Sequence, residues 1–166
     1  MKDFAGKVAV VTGAGSGFGR EFARIGAQLG MKLSLADIQP EALAATVDEL
    51  RGQGAQVIGE TVDVSRSADV ERLAQRTLDA YGAVHLLFNN AGVASGGLVW
   101  ENSVKDWEWV LGVNLWGVIH GVRTFVPIML AQGDECHVVN TASVAGLLSP
   151  QLMGVYNVSK HGVVTL

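Results

Sequence analysis

The sequence predicts an α/β fold: a doubly wound parallel sheet with helices on both faces. Three observations carry this. Short β-branched apolar runs alternate along the chain with longer segments of helical periodicity, the pattern of repeated strand–helix–strand units. The first unit, Lys7 to Leu29, breaks from strand into a cluster of glycines before turning helical. Small and amide residues gather just beyond several strands, where ligands of such sheets bind.

Val8 to Val11 is the first strand, followed by glycines at 13, 15, 17 and 19. From Gly17 the spacing of Phe18, Phe22, Ile25 and Leu29 predicts a helix with those residues on its apolar face. Lys32 to Ala36 is the second strand, ending at Asp37. Pro40 opens a helix with Leu43, Val47 and Leu50 on one face, and Arg51-Gly52-Gln53-Gly54 stops it. Gln56 to Val64 reads as a third strand. Ser67 is the expected cap of the next helix, which turns Val70, Leu73, Thr77 and Leu78 inward and closes at Tyr81-Gly82. Val84 to Phe88 is a fourth strand, running into Asn89-Asn90-Ala91-Gly92. Ser103 and Asp106 have capping-box spacing. They precede a long helix carrying Trp107, Leu111, Leu115 and Phe125, with a kink expected at Pro127. His137 to Ala142 is a fifth strand, and a last helix starts near Met153. Each crossover is expected to be right-handed. The chain stops at Val163-Val164-Thr165-Leu166 inside an apolar helical pattern without a cap. The expectation is therefore one domain over residues 1–166 that lacks its C-terminal elements.

Composition narrows the partners. A chain of 166 residues, 49% hydrophobic, has enough apolar material for one core. A net charge of −4 without basic runs argues against nucleic acid. No apolar run approaches the ~18 residues of a membrane span. Cys136 is the single cysteine, which excludes an internal disulfide and suits a reducing cytoplasm. It reads as a small buried hydrophobe near a strand start. The four histidines show no metal-ligand spacing.

A strand, a glycine turn and a helix form a phosphate cradle: without Cβ atoms the backbone admits a pyrophosphate, and the helix start offers unpaired N–H groups. The dinucleotide fingerprint G-x-G-x-x-G does not fit these glycines. T-G-x-x-x-G-x-G does, as Thr12, Gly13, Gly17 and Gly19, with Ser16 and Phe18 between them. That pattern resembles the short-chain dehydrogenase/reductase family, whose fold is Rossmann-like. Asp37, 18 residues beyond Gly19, can accept hydrogen bonds from both adenosine ribose hydroxyls and would repel a 2′-phosphate. No cation follows at 38 or 39, so NAD is expected over NADP, with Arg20 the one cation near enough to face a phosphate. The resemblance further implies that Asp63 and Val64 contact adenine, and that Asn90, Ala91 and Gly92 border the cofactor.

Tyr156 and Lys160 stand four apart on a predicted helix, so phenol and ammonium share a face. An ammonium held beside a phenol favours the phenolate, which suits a general base in alcohol oxidation and an acid in the reverse direction. Ser143, just past the fifth strand, would hold the substrate oxygen. The resemblance makes Asn114 the fourth member, supporting a water and the lysine, and gives Tyr156 and Lys160 a share in cofactor binding. A surface helix pair has the same Tyr–Lys spacing, and it is the combination with the glycine turn that favours chemistry. Val93, Leu147, Leu148, Leu152 and Met153 flank the site and suggest an apolar secondary alcohol or ketone. The expectation is a cytoplasmic NAD-dependent oxidoreductase assembling as a dimer or tetramer. An NAD-binding sensor or scaffold without catalysis, or an inactive fragment of such an enzyme, stays as the alternative.

Overall fold

The computed structural model describes residues 2–166. Five parallel strands form one sheet in the order β3-β2-β1-β4-β5. They are β1 (Val8–Thr12), β2 (Lys32–Asp37), β3 (Val57–Thr61), β4 (Leu86–Asn89) and β5 (His137–Asn140). Helices α1 (Gly17–Gln28), α2 (Pro40–Gly52), α3 (Ser67–Tyr81), α4 (Val104–Leu111) and α5 (Gly117–Gln132) cross between them, and α6 (Gly154–Thr165) follows β5. The chain moves outward from β1 through β2 to β3, then returns to lay β4 on the other side of β1. That reversal opens a crevice at the strands' carboxyl ends.

Strand alternation builds both faces. Ala9 and Val11 of β1 point into a core made with Ala23, Leu43, Val47 and Leu50, beneath α1 and α2. Val10 points the other way, against Leu73, Phe125 and Met129 of α3 and α5. All five residues of β1 are buried, as expected of a central strand covered by helices on both faces. Leu43, Val47 and Leu50 face inward as their spacing predicts.

Several elements differ from expectation. On α1 the buried residues are Gly19, Ala23 and Gly26, while Phe18, Ile25 and Leu29 are exposed. The helix lies too close to the sheet for bulk. A Cβ at Gly26 would come 2.9 Å from Leu33 Cδ2, and one at Gly19 would come 2.1 Å from the Gly13 carbonyl oxygen. Only Phe22 of the expected face turns in, stacking on Phe88 at 4.7 Å between centroids. The third strand ends at Thr61, and Val62 to Val64 leave the ladder toward the crevice. Ser67 is the first helical residue behind Arg66 and makes no capping bond. The Ser103–Asp106 capping box is present in both directions.

The long helix is interrupted at Gly112–Trp116 by a π turn, five residues that separate α4 from α5, with Asn114 inside it. From Val104 to Gln132 the helical run is nevertheless long and apolar enough for a membrane span by length and composition, contrary to the expectation above. Its Val118, Phe125 and Met129 are buried, the last two within the core of the α3 side.

Candidate active site

β1 delivers Thr12 to the crevice, where one hydroxyl ties two strands together. Thr12 Oγ1 donates to the Phe88 carbonyl at 3.2 Å and accepts from the N–H groups of Asn90 (3.0 Å) and Ala91 (3.1 Å). Asn90 Nδ2 donates back to the Thr12 carbonyl at 3.0 Å. The Asn-Asn-Ala-Gly turn is thereby clamped against the glycine turn. Gly13 fits between them at a φ of +68°, and a Cβ there would come 2.9 Å from Ala91 Cα. Ser16 precedes α1 without a side-chain capping bond, and no acidic residue occupies the helix's first turn. The start of α1 therefore keeps its N–H groups and its positive end for an anion.

Asp37 sits where β2 ends, and its carboxylate is already oriented. Oδ2 accepts from Gly15 N–H at 2.8 Å and Oδ1 from Gln39 N–H at 2.9 Å. Arg20, the candidate phosphate partner, turns away instead and pairs with Glu49 of α2. Arg24 joins from the next turn through its Nε at 2.7 Å. Arg24 first and Arg20 second hold the Glu49 carboxyl down at about 2.

α6 presents Tyr156 and Lys160 on one face, with Nζ 5.7 Å from the phenol ring's centroid. Lys160 is only 4% exposed, and Nζ donates to the Thr141 carbonyl at 2.7 Å. Burial pushes its ammonium below the ordinary lysine range. Thr141 Oγ1 in turn donates to Asn90 Oδ1 at 3.3 Å. One chain of bonds thus runs from Thr12 through Asn90 and Thr141 to Lys160. Ser143 Oγ accepts from Ala145 N–H at 3.1 Å, which fixes the hydroxyl at the head of the short turn Val144–Gly146.

Asn114 is fully buried, and its amide bonds Val93 in both directions. Oδ1 accepts from Val93 N–H at 2.8 Å, and Nδ2 donates to the Val93 carbonyl at 2.8 Å and to Ser159 Oγ at 3.0 Å. A Cβ at Gly92 would lie 3.4 Å from Asn114 Oδ1 and 3.8 Å from Lys160 Nζ, so Gly92 stands between the two.

These residues enclose a cleft of about 770 Å³. Gly13, Ser16, Gly17, Phe18, Asp37, Asp63, Val64, Asn90, Ala91, Gly92, Ser143, Tyr156 and Lys160 all line it. Thr12, Gly19 and Asn114 are not on its surface and brace it from behind. Sequence reasoning did not name Thr141, Trp109 or Val113, which also line the cleft. Thr141 lies two residues before Ser143, and Trp109 and Val113 are spaced i, i+4 just ahead of Asn114. Both spacings were visible signals. Of the five apolar residues expected to flank the site, only Val93 lines the cleft; Leu147, Leu148, Leu152 and Met153 lie outside it.

A family profile described as short chain dehydrogenase matches residues 7–166. The chain belongs to the short-chain dehydrogenase/reductase family. Among relatives of this family, a dehydrogenase/reductase of CLA biosynthesis from Lactiplantibacillus plantarum is 38% identical over 164 residues, covering 99% of this chain and 57% of its own. Cyclohexanol dehydrogenase from an Acinetobacter species is 37% identical over 164 residues, covering 98% and 65%. A short-chain dehydrogenase/reductase from Burkholderia phymatum, solved in complex with NAD, superposes with a TM-score of 0.99 at 65% identity, covering 99% of this chain and 59% of that one. The chain therefore spans about three-fifths of the length of the family members it matches.

Proposed function

We propose that this chain forms the cofactor-binding and catalytic part of an NAD-dependent dehydrogenase acting on an apolar secondary alcohol or its ketone. The observation that carries the reading is the bond chain Thr12–Asn90–Thr141–Lys160, which links a glycine cradle to a tyrosine–lysine pair within one cleft. The residues suit a dinucleotide. The cradle is one that Cβ atoms at Gly13 and Gly19 would fill, and the uncapped start of α1 suits the pyrophosphate. Asp37 favours a ribose with free hydroxyls, and Arg20 is engaged with Glu49, so NAD is the preferred form. Asp63 and Val64 would border the adenine. A relative in the same family with NAD bound supports the assignment.

In this reading a bound nicotinamide would supply the acceptor or donor of the hydride. Ser143 holds the substrate oxygen by hydrogen bond. Tyr156 takes the hydroxyl proton during oxidation and returns it during reduction. The buried Lys160 ammonium, aimed by the Thr141 carbonyl, stands beside the phenol on the same face of α6. Asn114 fixes Val93 and the Gly92 backbone beside the lysine. The reading also includes a cytoplasmic setting and assembly with further copies, the latter supported by Trp116 and Leu130 standing exposed along the long helix.

Tyr156→Phe tests it. In the longest natural form of the chain, NAD reduction with secondary alcohols should fall ~10²–10⁴-fold in kcat/KM, while NAD affinity changes little because the ring stays. Near-normal turnover with cofactor bound would refute the catalytic assignment. NAD binding without turnover of any alcohol by the unmodified protein would favour a sensor or scaffold.

A further inference from the structure

Among the described residues Trp109 is the one tryptophan that lines the cleft. It is also half-exposed, so burial within the fold does not account for so large a side chain there. A single exposed apolar side chain is ordinary on an open surface, whereas one that lines a cleft is a surface for a ligand to cover. Fixed elements hold it. The Ser103–Asp106 box closes the start of α4, and the next residue, Val110, is fully buried. Trp109 thus belongs to a rigid wall and keeps much of its apolar area uncovered.

Its neighbours along the helix decide which part of the cleft it serves. Trp109, Gly112 and Val113 share a face, at i, i+3 and i+4. Val113 lines the cleft as well, and Gly112 rests on the segment that leaves β3: a Cβ there would come 3.3 Å from Ser65 Cβ. Five residues on, a Cβ at Gly117 would come 2.8 Å from Val64 Cγ2. Ser65 in turn holds Asp63, donating to its Oδ1 from the N–H at 3.0 Å and from Oγ at 2.6 Å. The adjoining face of the same helical run serves the catalytic side. Asn114 donates to Ser159 Oγ, and a Cβ at Gly162 would come 2.9 Å from Leu115 Cδ1. Trp109 therefore stands on the side of Asp63 and Val64 rather than that of α6.

We infer that the Trp109 indole is the outer wall of the adenine pocket, closing over a base that meets Val64 and Val113 further in. The inference rests on the NAD reading above and adds a residue to it. A purine presents a flat π face, which an indole covers favourably whatever the base's hydrogen-bonding edge. The sugars and the pyrophosphate offer no such face, and in this reading the nicotinamide belongs beside Tyr156.

Trp109→Ala and Trp109→Phe test this in the longest natural form of the chain, with AMP and NAD as ligands in equilibrium titrations. In Trp109→Ala both dissociation constants should rise about fivefold or more, the scale of a lost base–aromatic contact. The two factors should be similar, because AMP carries the base without the nicotinamide. Trp109→Phe keeps an aromatic face and should stay within about threefold of the unmodified protein. AMP should also quench the tryptophan fluorescence of the unmodified protein. That quenching should vanish in Trp109→Phe, since Trp100, Trp107 and Trp116 lie off the cleft, and it reads the contact without the alanine variant. Unchanged nucleotide affinities in Trp109→Ala, quenching that survives in Trp109→Phe, or a loss for NAD with AMP binding intact would overturn the inference and leave the dehydrogenase reading standing. Unmodified protein that binds neither nucleotide would overturn both.

Discussion

Thr12→Val isolates the hydroxyl that holds the two turns of the cleft together. Valine keeps the shape and removes the oxygen. Two N–H groups, of Asn90 and Ala91, then lose their acceptor beside a residue that is only 5% exposed, and the Phe88 carbonyl loses a donor. A buried donor left unsatisfied costs about 1–3 kcal/mol. Relaxation of the turn recovers part of this, so the net loss should be roughly 2–4 kcal/mol. At ~3 °C per kcal/mol for a chain of this size, the melting temperature should fall by roughly 6–12 °C. Thr12→Ser keeps the oxygen and loses one methyl, so it should cost at most ~1 kcal/mol. Urea unfolding and thermal melts of the three proteins read the difference, and NAD titration should show weaker binding in Thr12→Val alone. A Thr12→Val protein within ~0.5 kcal/mol of the unmodified one, or serine as damaging as valine, would refute the clamp.

Asp37→Ala combined with Ile38→Arg should weaken NAD and strengthen NADP, swinging the ratio of their dissociation constants about tenfold or more toward NADP. The carboxylate that repels a 2′-phosphate is gone and a guanidinium is added. An unmodified protein that already prefers NADP in the same titrations would sink the cofactor assignment. For Glu49, the folded carboxyl titrates at about 2 against an ordinary 4.5. Its contribution is present above the ordinary value and lost as pH falls from about 4.5 through 2. Glu49→Gln should therefore flatten the acid limb of the stability curve in that window, measured by urea unfolding between about pH 2 and 6. An unchanged slope would show that the arginine pair contributes nothing there.

Features that depend on neighbours within a turn or two are legible in the chain alone. Alternating periodicity specified strand and helix in order, because side chains repeat every two residues on a strand and every 3.6 on a helix. The spacing of Ser103 and Asp106 specified a capping box, and that of Tyr156 and Lys160 placed both on one face of α6. Glycines at 13 and 19 were visible as a turn and a close approach. What tertiary structure decided was every relation between distant segments. The inward face of α1 went to Gly19, Ala23 and Gly26 rather than to the larger apolar residues, because the distance from helix to sheet is set by the partner surface and not by the helix. Arg20 pairs with Glu49, 29 positions away, so its charge does not face the glycine turn. Thr141 gains its place only because β5 lies beside β4, which brings it within reach of both Asn90 and Lys160. The positive φ of Leu152 accompanies another such relation: its carbonyl accepts from the N–H of Gly97, far away in the chain. Local periodicity follows from covalent geometry, whereas such long-range bonds exist only once the strands have paired.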